Sequence, residues 1–171
     1  CQNLRAAHSI QPSEILRVET IISDIARSVL PYGVPKNRTE ALFSVPWCAA
    51  VALTDGFVGV GSFQPEALNR KDLLELSTRI SVDEHPRYRG LSFHPDFPDR
   101  VKVHLKNGRS LTESIVYPVG SPQRPLEQAD LKAKFLDNAA FGKLPLGRAE
   151  AMFEMVFETP ASKPFSDLFV T

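Results

Sequence analysis

From residue 100 to residue 106 the chain alternates, with Val101, Val103 and Leu105 on one side and Lys102, His104 and Lys106 on the other. A period of two is the mark of a strand with one face buried. Asn107-Gly108 follows, a strong signal for a hairpin turn. Residues 109–117 then read as the returning strand. A two-residue loop would set Val103 opposite Thr112. A three-residue loop over residues 106–108 sets it opposite Leu111 and puts Ile115 and Tyr117 on the same face. Because a slip of one residue turns a strand's whole apolar set the wrong way, the longer loop with a left-handed Gly108 is predicted. Val101, Val103, Leu105, Leu111, Ile115 and Tyr117 should face a helical layer. An antiparallel sheet with one face to fill is therefore the first constraint on the fold.

Fourteen prolines cut the remainder into short blocks. The first ten residues are an arm with no clear reading. Over residues 15–22, Leu16, Val18, Thr20 and Ile22 alternate like a strand, while Ile15, Val18, Ile22, Ile25 and Val29 fit a helical stripe. The richness in β-branched residues favours a strand, with a short helix starting at Asp24. Residues 39–55 read as a helix, apolar nearly all round and hence buried, kinked or restarted at Pro46 and stopped at Asp55-Gly56. Pro65 opens a second helix reaching about residue 77, and Ile80 and Val82 suggest a strand. Residues 86–98 form a loop carrying Tyr88, Phe93 and Phe97. Two helices close the chain. One starts near Pro125 with Leu131, Phe135 and Ala139 in line; the other spans 147–158 with Ala149, Phe153, Val156 and Phe157. Helices and a hairpin without a repeating strand–helix–strand rhythm indicate an α+β, two-layer sandwich.

At 171 residues the chain has room for one domain, and 43% hydrophobic with 23% charged residues is globular composition. Twenty basic residues balance twenty acidic ones, so the footprint of a nucleic-acid-binding surface is missing. No apolar run approaches the roughly 20 residues that cross a bilayer, so no membrane association is expected. Cys1 and Cys48 are too few for a disulfide framework, and a reducing, cytoplasmic setting accounts for them. The chain opens on Cys1 with no signal region after it, and reads as a fragment of a longer protein.

The residues that could carry chemistry mostly have plainer readings. Gly56-Phe-Val-Gly-Val-Gly61 lacks a preceding strand and a following Gly-Lys-Ser/Thr, so a helix cap running into a loop explains it better than a phosphate loop. His85, His94 and His104 fit no usual zinc spacing, and no metal or cofactor is expected. Cys48, inside an apolar helix, should be an inert core thiol. Lys132 and Lys134 near Asp130 and Asp137 read as a solvated helix face. No convincing acid–base pair stands out.

A set of motifs nevertheless follows a known order. Phe43-Ser-Val-Pro-Trp47 leads to Val51-Ala-Leu-Thr-Asp-Gly56, then to Val101-Lys-Val-His-Leu-Lys-Asn-Gly-Arg109. Tyr117-Pro-Val-Gly-Ser-Pro-Gln-Arg-Pro-Leu126 and Leu131-Lys-Ala-Lys-Phe135 come after them, and Cys1-Gln-Asn-Leu-Arg5 stands at the start. Over roughly residues 1–140 this order resembles the C-terminal part of the MmgE/PrpD family, which is 2-methylcitrate dehydratase-like.

The resemblance implies an α+β lid domain over residues 1–140, a C-terminal helical return segment over 141–171, and a catalytic site shared with an N-terminal helical domain absent from this chain. It implies cofactor-free chemistry on small polycarboxylates: dehydration, decarboxylation of an aconitate-like acid, or epimerisation. It also implies a homodimer. The substrate-binding candidates it points to are Arg5, His8 and Trp47. Arg5 stands where the family carries a histidine, Trp47 where it carries a tyrosine, and Leu42 where it carries an arginine. Two roles follow: half of a lyase or isomerase that is inactive alone, with no catalytic residue of its own, or a degenerate module that binds or dimerises.

Overall fold

The computed structural model describes residues 1–85 and 94–158. Tyr88 and Phe93 of the expected aromatic loop lie outside the described residues. The chain divides into two compact units, Cys1–Arg124 and Pro125–Thr171.

The first unit is built on four strands, β1 (Ile15–Ile22), β2 (Ile80–Glu84), β3 (Asp99–Leu105) and β4 (Ser110–Ile115), in the order β2-β1-β3-β4. The hairpin register is the predicted one. Val103 pairs with Leu111, and Gly108 has φ +86. Its N–H donates to the Leu105 carbonyl at 3.0 Å, while the Asn107 side chain accepts from the Arg109 N–H at 3.0 Å. β4 ends at Ile115, so Tyr117 lies beyond the strand, and Glu113 takes the inward position opposite Val101. The sheet is mixed and not antiparallel throughout, because β2 pairs with β1 in parallel, Val18 against Ile80. A parallel neighbour needs a long crossover, and the helices between residues 23 and 79 supply it.

Those helices form the second layer. α1 (Gln2–His8) precedes the sheet; α2 (Asp24–Val29), α3 (Arg38–Leu42), α4 (Val45–Thr54), α5 (Pro65–Leu68) and α6 (Lys71–Thr78) fill the crossover. The helix expected over 39–55 restarts near Pro46, one of the two outcomes that proline implied. The Ser44 hydroxyl accepts from the Trp47 N–H at 3.1 Å and caps a fresh start, and Pro46 sits in the first turn, where a missing N–H costs nothing. The second expected helix also divides, at Asn69-Arg70. α4 is buried almost all round, as its composition demands. One face of it joins Leu4, Ile15, Val18, Leu76, Val103 and Leu105 in the main core. The other gathers Ala41, Trp47, Val51 and Leu73 into a second cluster.

In the second unit, α7 (Gln128–Phe141) and α8 (Leu146–Glu158) are joined by a tight turn in which Lys143 has φ +60. Phe153 packs between Phe135 (ring centroids 5.7 Å apart) and Phe157 (4.4 Å apart), and Lys132 pairs with Glu154 at 3.1 Å. Ala149 and Phe153 are buried as the periodicity implies, while Val156 and Phe157 are exposed.

Candidate functional site

The arm without a sequence reading is α1, and it carries two of the three expected site residues. Leu4 anchors it in the main core. Gln2 donates to the Gly56 carbonyl at 3.1 Å, and Asn3 donates to the Glu113 carboxylate at 3.0 Å. These bonds fix α1 against both the end of α4 and strand β4. Arg5 is half-buried and His8 exposed one turn further on. Residues three apart are neighbours on a helix surface, so α1 presents the two together.

Arg5 lies against Gly56. A Cβ on that glycine would sit 2.8 Å from the Arg5 Nη1 atom. Gly56 has φ +82, the left-handed cap conformation the Asp55-Gly56 pair predicts. The Arg5 Nε is enclosed with no hydrogen-bond partner. Asp55, beside Gly56 in sequence, is taken by Arg70, whose guanidinium holds it with bonds of 2.7 and 3.0 Å and reaches Asp72 as well. The Asp72 bonds, then those to Asp55, push the Arg70 guanidinium further above its ordinary range, and Arg70 in turn holds the Asp72 carboxyl below the usual carboxylate value.

The third expected site residue falls elsewhere. The resemblance makes Trp47 a substrate-binding candidate; the structure buries it completely in the second cluster, with its indole N–H on the Ser62 carbonyl at 3.0 Å. A buried, bonded indole serves packing. The glycine-rich stretch after Gly56 runs into a 3₁₀ turn, Val60–Phe63, as the cap-and-loop reading expects.

Beside α1 a cavity of about 490 Å³ opens between α4 and the ends of the strands. Its wall is mostly apolar, with Asp99, Glu113 and Arg100 as its charged residues, and both thiols reach it. Burial pushes the Asp99 carboxyl up, against the pull of the Ser23 N–H. Burial also pushes the Cys48 thiol up, which makes it a poor nucleophile. Two carboxyls against one guanidinium make this cavity unwelcoming to a polycarboxylate; the anion-seeking group is Arg5.

Among the described residues no cluster of three His, Cys, Asp or Glu side chains could hold a metal ion. His104 stands on the open face of the sheet, its Nδ1 3.0 Å from the Ser110 hydroxyl and its Nε2 3.3 Å from Glu19, which also pairs with Arg17. Desolvation, then the charges of Arg17 and Lys102, push this imidazole below its ordinary value. Sequence spacing could not show this grouping, since it joins three strands.

The sequence model of the MmgE/PrpD C-terminal domain matches residues 1–156. The chain belongs to the MmgE/PrpD family. It is 32% identical to the cis-aconitate decarboxylase of Mus musculus over 126 residues, which is 74% of this chain and 25% of that protein. It is 29% identical to the cis-aconitate decarboxylase of Homo sapiens over 140 residues, 81% of this chain and 28% of that protein. The chain thus spans about a quarter of the length of these MmgE/PrpD relatives. No described helix is long and apolar enough to cross a membrane.

Proposed function

We propose that this chain is the lid portion of a cytoplasmic MmgE/PrpD lyase or isomerase acting on small polycarboxylates, and that it reads substrate carboxylate through Arg5. The observation that carries the reading is the half-buried Arg5 guanidinium, which no acidic side chain among the described residues pairs with. Dehydration, decarboxylation and epimerisation of such acids share one demand. Negative charge develops beside a carboxylate, and a fixed cation must hold it while a placed base or acid moves the proton. Arg meets the first part, since its planar fork matches a carboxylate and stays charged at any working pH. His8, one turn on, is the second polar group that α1 offers. The acid–base pair itself belongs to the partnering helical domain, so the chain alone turns nothing over.

The test is a graft. The matched quarter of the mouse cis-aconitate decarboxylase is replaced by this chain, and cis-aconitate and 2-methylcitrate are followed by NMR. Loss of CO₂ from the first or of water from the second supports the reading. A folded graft inert to both counts against it, and turnover by the isolated chain that depends on Arg5 or His8 would relocate the whole centre.

A second reading, a non-catalytic module that dimerises, draws on α8, where Leu146, Val156 and Phe157 are exposed. Exposed apolar residues along one helix favour association. Sedimentation of the chain with and without Val156→Glu separates a dimer from a monomer.

A further inference from the structure

We propose that Gly56 is a positioning residue for Arg5: the missing side chain lets the guanidinium lie flat on the turn after α4, where it is held open for a carboxylate. The inference rests on the reading of Arg5 given above and adds the device that aims it.

Three observations converge on this corner. Gln2 and Arg5, one turn apart on α1, both meet Gly56, the first through its carbonyl and the second through the space a Cβ would fill. Any Cβ there would stand 2.8 Å from Nη1, closer than such atoms come, so the guanidinium would have to shift from its present position. Among the described residues no acidic side chain pairs with Arg5, and Asp55, next to Gly56 in sequence, is committed to Arg70. A half-buried cation has given up part of its hydration. It is normally compensated within the fold, and here the compensation is left to an incoming anion. The bidentate geometry of Arg suits a carboxylate.

The competing explanation is structural. Arg5 lies by the C-terminal end of α4, where a cation is favourable without binding anything. The two explanations differ in what Gly56 controls. If Arg5 only complements the helix end, substitutions change stability and leave anion binding alone. If Gly56 aims Arg5, a Cβ abolishes binding only while Arg5 is present.

The experiment titrates the ¹⁵N-labelled 171-residue chain with citrate, tricarballylate and inorganic phosphate. Arg5→Ala should weaken tricarboxylate binding roughly tenfold, the value of one good charge-assisted contact. Arg5→Lys should retain part of the affinity, as a point charge without the fork does. Gly56→Ala should weaken binding nearly as much as Arg5→Ala, and should have no further effect in the Arg5→Ala background. Gly56→Asn adds a Cβ while tolerating positive φ, so it separates the clash from backbone strain and stands in if Gly56→Ala does not fold. No tricarboxylate binding by the native chain would overturn the proposal. So would unchanged binding in Arg5→Ala, equal affinity for phosphate, or a Gly56 effect that persists without Arg5. An inert graft with these binding results intact would remove the proposed reaction and leave this site standing.

Discussion

Two arginines flank the same turn and behave in opposite ways. Arg70 reaches Asp55 and Asp72 with four short bonds and is fully compensated. Arg5, across Gly56, has an enclosed, unbonded Nε and no acidic partner among the described residues. The difference teaches that a cation tied by its own fold holds structure, while one left untied at comparable cost is available to something else. Asp55 enforces the distinction by serving only Arg70.

That contrast can be broken at its platform. Leu53 is wholly buried just before the turn that both arginines flank. Leu53→Ala should cost about 2–5 kcal/mol in urea unfolding through transfer and cavity terms, and should weaken carboxylate binding with it. A loss below about 1 kcal/mol would show that the turn is held from elsewhere. Trp47→Phe comes next, at about 1–3 kcal/mol, because the Ser62 carbonyl loses its donor inside the second cluster. Carboxylate affinity should not move. If it falls with stability intact, Trp47 belongs to the site after all.

Arg70→Ala should be small, no more than about 1 kcal/mol, since its partners are well exposed to water. Its pH dependence fixes the sign. The folded Asp72 carboxyl lies below the unfolded value of about 3.9. The stabilisation is therefore present above that value and lost as pH falls through the folded one. Native and variant curves should run parallel from pH 7 to about pH 5 and converge in acid; a constant gap would deny the pair any share of stability. Smallest of all is the effect of His104. Its folded value lies below the ordinary one of about 6.5. On acidification the unfolded chain takes the proton first, so stability is full above about pH 7 and declines below it. His104→Gln should flatten that decline, and an unchanged slope would assign it to another group.

Local rules in the sequence carried far where the partners are close along the chain. The hairpin register followed from alternation and one glycine, and the α4 stop from Asp55-Gly56. They carried less far where distant segments meet. The restart that Pro46 implied takes its place at Phe43-Ser44 from Ser44 capping forward. The parallel placement of β2 depends on the crossover and not on its five residues. The family motif pointed to Arg5, yet its bearing on Gly56 joins residues 51 positions apart, and no periodicity links them. The bond from the buried Trp47 indole to the Ser62 carbonyl, fifteen residues away, likewise had no signal in the sequence.

The sheet leaves β2 and β4 at its two margins, and unpaired strand margins invite other chains to add on. Both are guarded. β2 is only five residues long and ends in Asp83-Glu84, two carboxylates that a neighbouring strand would have to bury. β4 turns Ser110, Thr112 and Ser114 outward and keeps its apolar residues inward, so it offers an incoming strand no hydrophobic face to zip against. Among the described residues, both margins of the sheet are thereby made poor templates for growth into a fibre.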